Sequence, residues 1–289
     1  MKFFAGLGLI VLALSYLGRW LVFGDSLAVG RLHLLIGGLL LVVVFALKGA
    51  KWWARIVGLA VVLATLHTGW IWYGIQGPEG SFSLYQKNLL FINADHPAVI
   101  SDIESSGAVV VTLQEVHERN LPILVALKGT YPYQLMCPFS GVGGVAILSK
   151  IPYVGGSPTC GDKDGFATAQ IVVAQKGPVW IASVHMHWPW PYGQRDQLTK
   201  VLERLEKLSG PVLVGGDFNM QPWGSSVMQV AAAARAGRLG GYWSTFPELT
   251  GAIPLMIDQI MVPKGATGRV ERRPLAGSDH YGLLAKINL

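Results

Sequence analysis

The sequence predicts an α/β domain that follows an apolar membrane anchor, and two observations lead to this fold class. About 75 residues at the start contain three long apolar segments. From residue 82 onward, short runs of β-branched and aliphatic residues alternate with amphipathic segments. The chain has 289 residues and 51% hydrophobic content, which is too apolar on average for a plain soluble enzyme. The part that follows the anchor is long enough to bury one large core.

The positive charge of the chain is also concentrated in the anchor. The formal net charge is +6, and residues 1–75 account for most of it, because they contain six basic residues and a single acid, Asp25. The rest of the chain is therefore nearly neutral. This distribution argues against an extended basic face for nucleic acid.

The three apolar segments cover residues 3–23, 27–47 and 56–73. Each is close to the ~20 residues that cross a bilayer as a helix. Arg19 and Arg31 lie near segment ends, from which an arginine side chain can reach the headgroups. The first segment could instead be a cleavable signal peptide, but no clear small-residue cleavage site follows it. We expect three transmembrane helices in residues 1–75.

The basic residues of the anchor predict its orientation. Lys48, Lys51 and Arg55 lie between the second and third segments, and Lys2 lies at the amino terminus. The positive-inside rule places both regions in the cytoplasm. With three spans, everything after residue 73 lies on the outer side. The predicted location is the inner (cell) membrane, as a multi-pass protein whose globular domain faces the periplasm or the cell exterior.

Residues 76–81 read as a short Gly/Pro-containing linker, and the globular domain is predicted from 82 to 289. Strands are predicted at 82–92, 108–113, 144–148, 167–174, 179–184, 212–214, 257–262 and 283–287. Helices are predicted at 97–106, 121–128, 195–208 and 225–236.

The central motif of the domain is the stretch 212–220, which reads V-L-V-G-G-D-F-N-M. A buried strand and two glycines deliver Asp217 and Asn219 to its end, where side chains two positions apart point the same way. A carboxylate beside a carboxamide suits a phosphate and divalent-metal site. Taken alone, the motif is equally compatible with an ordinary Asp/Asn turn.

Acid, amide or imidazole side chains lie at the ends of several other predicted strands, which an ordinary turn does not explain. These residues are Asn88, Gln114-Glu115, His185, Asp258 and the Ser278-Asp279-His280 triplet. Their spread over separate strands predicts that they meet at one site.

In order and type, these motifs resemble those of the endonuclease/exonuclease/phosphatase (DNase I-like) superfamily. The resemblance covers about residues 82–289 and implies a four-layer α/β sandwich, in which two packed mixed β-sheets are flanked by helices. Lys87-Asn88 departs from the common aromatic-Asn pair, which loosens the assignment of Asn88. Apolar spans followed by such a domain also resemble a bacterial membrane-anchored branch of the superfamily.

Phosphate-ester hydrolysis needs a cation, a base and hydrogen-bond donors. Asn88, Glu115 and Asp279 are the predicted metal ligands, suited to Mg²⁺ with Mn²⁺ as an alternative. The predicted catalytic residues are His185, Asp217, Asn219, Asp258 and His280. In this assignment Asp258 orients His280, Asn219 donates to phosphate and His185 stabilises the pentacovalent phosphorus. Either Asp217 or His280 takes the proton from water, and the number of metal ions is left open.

Three further features have simpler interpretations beside functional ones. His187 follows His185 on the same face, but the resemblance gives a role only to His185. Residues 188–192, W-P-W-P-Y, form a rigid aromatic loop that either contacts substrate or lipid or only packs on a neighbour. Cys137 and Cys160 are expected to form a disulfide in the oxidising compartment.

The predicted function is that of a membrane-anchored, divalent-metal-dependent phosphoesterase. Tethering and the weak charge of the domain favour a lipid or another envelope-associated phosphate ester, reached from the bilayer that holds residues 1–75. A nuclease that acts on extracytoplasmic nucleic acid is a less favoured alternative. A non-catalytic membrane scaffold that retains the fold is the alternative of a different class, although none of the expected acid or imidazole positions is missing.

Overall fold

The computed structural model describes residues 1–241, 244–247 and 255–289. The apolar segments of the anchor form helices α1 (Lys2–Leu14), α3 (Arg31–Leu47) and α4 (Lys51–Tyr73), with a short helix α2 (Gly24–Val29) between the first two. Many large apolar side chains on these helices point outward; Phe3, Leu40 and Trp70 are each more than half exposed. Such a surface is unusual for a protein in water and is typical of a lipid-facing one.

The prediction of three spanning helices needs correction. Within the described residues only Lys51–Tyr73 is, by length and composition, long and apolar enough to cross a membrane. The first segment stops being helical at Leu14, since the Ser15 hydroxyl donates to the Leu12 carbonyl and the Arg31 guanidinium binds Ser15 in turn. The following residues turn and lie on the globular domain. A hydropathy pattern does not reveal such a contact.

The three longer helices run up, down and up. Phe45 of α3 packs on Trp53 of α4 with ring centroids 6.0 Å apart, and farther along the pair Gly38 of α3 lies against Val61 of α4. The Lys48 ammonium lies 3.4 Å from the Met1 sulfur. The amino terminus and the α3–α4 turn therefore share one end of the bundle.

The globular domain contains two six-stranded sheets among the described residues. The first has the order β11-β12-β1-β2-β4-β3 and the second β5-β6-β7-β8-β10-β9. The strands of the first sheet are β1 (Phe82–Asn88), β2 (Val110–Val116), β3 (Tyr133–Ser140), β4 (Gly143–Ser149), β11 (Thr267–Arg273) and β12 (Gly282–Asn288). Those of the second are β5 (Thr159–Cys160), β6 (Phe166–Val173), β7 (Gly177–His185), β8 (Val212–Asp217), β9 (Ala236–Arg238) and β10 (Asp258–Pro263).

The helices of the domain are α5 (His96–Ser106), α6 (Leu121–Ala126), α7 (Gln194–Glu206) and α8 (Ser225–Ala233). Leu84 and Leu213 belong to the apolar cluster between the two sheets. Helices α5 and α6 cover the outer face of the first sheet, and α7 and α8 that of the second. Alternate residues of each strand face different layers because side chains have a period of two. The arrangement confirms two packed mixed sheets flanked by helices.

The pairing of the central strands sets the position of the predicted site. Strands β1 and β2 are parallel, with Asn88 opposite Gln114, and β7 and β8 are parallel, with His185 opposite Asp217. Strand β10 runs the other way, so its first residue, Asp258, lies opposite Asp217. Residues from both sheets are thereby brought to the same edge of the sandwich.

Among the described residues, sequence patterning does not predict four strands, and all four are edge strands: β3, β5, β9 and β11. Cys137 in β3 and Cys160 in β5 form a disulfide with an S–S distance of 2.05 Å, as predicted. Since β3 and β5 are edge strands of different sheets, the bond joins the two sheets along one side of the sandwich.

Candidate active site

The glycine pair before Asp217 is required by close packing. A Cβ on Gly215 would collide with the Thr112 side chain of the first sheet, and a Cβ on Gly216 would collide with the Val184 backbone of β7. Glycine therefore lets β8 lie close to the opposite sheet. Asp217 is consequently fully buried at the centre of the site.

Asp217 is the carboxylate on which the other side chains converge. Its Oδ2 accepts a hydrogen bond from Asn88 Nδ2 at 3.0 Å and lies 3.6 Å from His185 Nε2 and 3.8 Å from His280 Nε2. Its Oδ1 accepts from the backbone N–H of Asn219 at 2.8 Å. Burial raises the pKa of Asp217, because the charged form loses its hydration.

His280 is paired with Asp258. The two side chains are joined through His280 Nδ1 and Asp258 Oδ2 at 2.8 Å, and Gln86 Nε2 donates to the other Asp258 oxygen at 3.0 Å. Burial alone would lower the pKa of His280, but the carboxylates of Asp258 and Asp217 outweigh it and raise the pKa. The pair fixes the orientation of the imidazole and favours its protonated form.

Asn219 and His185 complete the set of predicted catalytic residues. Asn219 has a positive φ of +47° and donates from Nδ2 to the Met186 carbonyl at 2.8 Å. His185 stacks edge-on against Phe139, with ring centroids 5.3 Å apart. Burial lowers the pKa of His185, and the neighbouring His280 adds to this effect. His185 is therefore a neutral imidazole at neutral pH.

The predicted metal ligands Asn88 and Glu115 are direct neighbours. Asn88 Nδ2 donates to Glu115 Oε1 at 3.0 Å, and the Phe91 N–H donates to Glu115 Oε2 at 2.9 Å. Glu115 has a φ of +54° and lies where the pairing of β2 with β4 shifts register. Such a bulge re-aims a side chain, here toward the site. Burial raises the pKa of Glu115.

Asp279 lies at the open side of the same network. Its Oδ1 is 4.0 Å from His280 Nε2, and among the described residues this buried oxygen has no hydrogen-bond partner. An orphaned carboxylate oxygen fits a cation ligand. Glu115 and Asn88 contribute further oxygen atoms nearby, and the Asn88 Oδ1 accepts a hydrogen bond from the Leu90 N–H at 2.9 Å. Carboxylate and amide oxygens are the ligands that Mg²⁺ or Mn²⁺ prefers.

A second group of possible metal ligands lies beside this set and shares no residue with it. One ligand atom each from Asp217, Asp258 and His280 lies within 4.8 Å of the others, which is a spacing compatible with a metal ion. However, Asp258 already uses one oxygen for His280 and the other for Gln86. We therefore regard Asp258 as the partner of His280, while Asp217 faces both groups.

The structure thus brings all eight predicted site residues into one linked network. His187 lies outside it: this half-buried residue stacks on Phe139, with ring centroids 4.8 Å apart. Sequence reasoning did not find Phe139 or Phe246, whose rings pack on His185 and His280. No local signal marks these contacts, because they join residues far apart in the chain.

Other polar residues support the site. Gln114, which the sequence places at a strand end without a role, donates to Ser183 Oγ at 3.1 Å. Thr245, which sequence reasoning did not find, accepts from the Asp258 N–H at 3.2 Å through Oγ1. The fully buried Lys87 donates to the carbonyls of Pro274 and His280, at 3.1 and 2.9 Å. The unusual Lys87 beside Asn88 was the one available signal. It holds the chain segment that carries Asp279 and His280.

Comparisons with known proteins agree with this geometry. The model of the Endonuclease/Exonuclease/phosphatase family matches residues 86–280. No curated protein matches the chain.

Solved structures with similar folds include an endonuclease/exonuclease/phosphatase from Bacteroides vulgatus (TM-score 0.60, 16% identity, 72% of this chain and 98% of that chain). Another is sphingomyelinase C from Streptomyces griseocarneus (TM-score 0.52, 16% identity, 73% of this chain and 100% of that chain). A third is a beta toxin variant from Staphylococcus aureus with bound magnesium ions (TM-score 0.52, 17% identity, 71% of this chain and 98% of that chain). At these identities the likeness shows the fold.

Proposed function

Because this chain belongs to the endonuclease/exonuclease/phosphatase family, we propose that it is a membrane-anchored, divalent-metal-dependent phosphoesterase that acts on a lipid or another envelope-associated phosphate ester. The observation that carries the proposal is the buried network centred on Asp217. Its Oδ2 lies within 4 Å of an amide and two imidazoles of opposite pKa shift. Pairs of titratable groups whose pKa values are shifted in opposite directions are typical of acid–base sites.

Asn88, Glu115 and Asp279 would hold the Mg²⁺ or Mn²⁺. When bound, the ion neutralises charge on the phosphoryl oxygens and lowers the pKa of water in the site. The remaining residues would orient the ester and would accept or donate protons.

Asp217 is the proposed general base. Burial raises its pKa to about 7, where a carboxylate can accept a proton from water and release it again at neutral pH. Asn88 Nδ2 and the Asn219 N–H hold the two carboxylate oxygens in place. His280, kept protonated by Asp258, would donate from Nε2 to the scissile phosphate, and His185 would donate to the same group as a neutral imidazole.

The membrane part of the proposal rests on the up-down-up bundle. Helix α4 has spanning length, and α1 and α3 pack along it with exposed apolar side chains. We propose that α4 spans the bilayer and that α1 and α3 are packed beside it in the apolar layer. The cell membrane is then the location, with the domain on the periplasmic or exterior side, where the disulfide is stable.

A lipid substrate is favoured by the aromatic loop 188–192. Trp188 packs on Phe246, and Phe246 packs on His280, with ring centroids 6.4 and 4.7 Å apart. At the other end of the loop, Trp190 and Tyr192 are 55% and 67% exposed, and Ser26 of the anchor donates to the Trp190 carbonyl at 2.7 Å. Aromatic side chains therefore lead from the catalytic imidazole to the membrane anchor. Tryptophan and tyrosine are the residues that prefer the headgroup layer.

The test is a hydrolysis assay with the full-length protein in detergent micelles and in vesicles. Bis(p-nitrophenyl) phosphate, phospholipids and double-stranded DNA are offered with Mg²⁺, with Mn²⁺ and with EDTA. We expect metal-dependent release from the generic diester and from phospholipid, and loss of both in EDTA. Hydrolysis of DNA with no lipid hydrolysis would favour a nuclease. No hydrolysis of any ester would favour a scaffold, and activity in EDTA would overturn the metal assignment.

A further inference from the structure

The anchor is attached to the catalytic domain by more than the covalent chain. We use the name docking segment for residues 15–30, which connect α1 with α3 and include α2. Within it, the Asp25 carboxylate accepts hydrogen bonds from the backbone N–H groups of Ser225 and Ser226, at 2.8 and 3.1 Å. Ser225 begins helix α8. The anchor therefore supplies the cap of a helix in the catalytic domain.

The surroundings of the Asp25 carboxylate favour its role as the cap of helix α8. Asp25 is only 8% exposed, and each of its two oxygens receives one N–H donor. The residue before α8 is Gly224, which has no side chain that can cap the helix. A carboxylate at a helix amino terminus satisfies orphan N–H groups and interacts favourably with the helix dipole. A Cβ on Gly18 would collide with the Asp25 carboxylate, so glycine is needed there for the close approach.

A second hydrogen bond between anchor and domain lies two residues before the helix. The Trp223 indole donates to the Ala28 carbonyl of the docking segment at 2.7 Å, and its ring packs edge-on against Trp72 at the end of α4. Trp223 is 1% exposed and shares an apolar cluster with Phe218 and Met220. These two residues are the immediate neighbours of Asn219.

The loop between β8 and α8 is consequently held from two sides. On the domain side, Gln194 donates to the Phe218 carbonyl at 3.0 Å, and the Gln221 side chain accepts from the Met256 N–H at 3.2 Å. On the anchor side, Asp25 and Ala28 hold its other end. Asn219 lies between these restraints with a φ of +47°, in the left-handed region that asparagine adopts more readily than most residues.

We propose that Asp25 is a positioning residue for the active site. By capping α8 from the anchor, it fixes the loop that carries Asn219 and so holds the Asn219 N–H on the Asp217 carboxylate. The inference rests on the proposed function for its kinetic part, and on the geometry alone for its structural part. It makes the membrane anchor a component of the catalytic site rather than only a tether.

The experiment compares Asp25→Ala with Arg195→Met in the full-length protein in detergent. Arg195 is a matched control, because it also makes two hydrogen bonds between domain and anchor, to the carbonyls of Arg19 and Trp20, but it does so from α7. With bis(p-nitrophenyl) phosphate, well below the melting temperature, we expect Asp25→Ala to lower kcat by about ten- to a hundred-fold with little change in KM. Arg195→Met should keep the wild-type kcat. Asp25→Asn, which retains one acceptor oxygen, should fall between Asp25→Ala and wild type.

Amide hydrogen exchange gives a readout that does not depend on activity. Asp25→Ala should speed exchange in residues 218–226, whereas Arg195→Met should leave these residues unchanged. If Asp25→Ala exchanges like wild type in this loop, the positioning role is wrong, whatever the activity. Equal kcat losses in Asp25→Ala and Arg195→Met would contradict a specific positioning role, because Asp25 would then only help to attach the anchor to the domain. If the wild type hydrolyses no ester but the exchange difference is present, the proposed function is wrong, while the role of Asp25 in holding the loop is confirmed.

Discussion

At the scale of single residues, the two buried histidines of the network lie in opposite electrostatic surroundings. His280 lies between the carboxylates of Asp258 and Asp217, which raise its pKa in spite of burial. Burial lowers the pKa of the equally buried His185, because the charged form loses its hydration, and His280 adds to this effect. Among the described residues its Nδ1 has no hydrogen-bond partner. One imidazole thus offers a charged donor and the other a neutral one. In the proposed mechanism the same residue type would perform two tasks, because its neighbours differ.

His280→Ala should abolish most hydrolysis while the domain stays folded. Removing the donor held by Asp258 leaves the phosphate without its charged partner, which typically costs 10²–10⁴-fold in kcat. His187→Ala is the control, because His187 lies outside the network and is only half-buried. We expect its kcat to change by less than about three-fold, a bound based on the small effects of residues away from the chemistry. Steady-state kinetics of both purified variants decide the point, and a near-normal His280→Ala enzyme would contradict the mechanism.

The buried side chain of Lys87 should make the free energy of unfolding depend on pH. Burial lowers its pKa to about 8, whereas the unfolded chain has the ordinary value of 10.5. Between these values the unfolded state binds more protons, so this residue adds stability as the pH rises. Relative to Lys87→Met, the free energy of unfolding of wild type should increase by about 3 kcal/mol from below pH 8 to above pH 10.5.

Unfolding of metal-free wild type and Lys87→Met at a series of pH values measures this difference. Lys150→Met is a suitable control, because Lys150 also donates to a backbone carbonyl, that of Gly107, but its side chain remains in water. A pH-independent difference for Lys87→Met would show that the buried ammonium is not desolvated as described.

At the scale of secondary-structure elements, the disulfide joins the outer strands of the two sheets. Cys137 in β3 and Cys160 in β5 are 23 residues apart in sequence. Closing a loop of this size lowers the entropy of the unfolded chain, which stabilises the folded state by about 3 kcal/mol. Phe139, two residues after Cys137, also packs on His185 and His187. The bond therefore stabilises an element that borders the site.

The double variant Cys137→Ser/Cys160→Ser should unfold about 3 kcal/mol more easily than wild type. Reduction of the wild-type protein should produce the same loss, which controls for the substitutions themselves. Denatured protein extracted without reductant should contain no thiol that can be labelled. Two labelled cysteines before reduction would contradict the disulfide and weaken the outward placement of the domain.

The strands that deliver site residues were predictable from sequence, and several others were not. β8 is a continuous apolar run that ends in Asp217, and the parallel arrangement of β7 and β8 brings His185 beside it. Edge strand β3 has mostly partly exposed or exposed residues and lacks both an apolar run and clean alternation. The early end of α1 depends on Arg31 binding Ser15, and the cap of α8 depends on Asp25. Contacts between residues far apart in sequence leave no local pattern, so sequence reasoning could not predict them.

At the scale of the whole molecule, the anchor and the domain form a continuous structure. Ala28 of the docking segment is fully buried in the cluster that contains Trp223 and Val227, while Ile71 and Trp72 of α4 pack on the same cluster. Residue 75 pairs with Leu239 in an isolated β-bridge. The boundary between the anchor and the globular domain, at the linker of residues 76–81, remains a prediction. These contacts show that the orientation of the domain relative to the helix bundle is set by packing as well as by the linker.

In the proposed membrane arrangement, this packing also ties the topology of the helix bundle to that of the domain. The docking segment and the end of α4 both contact the domain, so they lie on one side, while Lys48 and Met1 meet at the opposite end of the bundle. Lys2, Lys48, Lys51 and Arg55 cluster at that opposite end, which the positive-inside rule places in the cytoplasm. A periplasm-dependent reporter fused after Leu289 should therefore be active, and the same reporter fused after Gly49 should be silent. A cytoplasm-dependent reporter should give the reverse pattern. If both fusion sites report the same compartment, α4 does not span the membrane; if both patterns are inverted, the basic cluster does not determine the orientation, and the domain faces the cytoplasm.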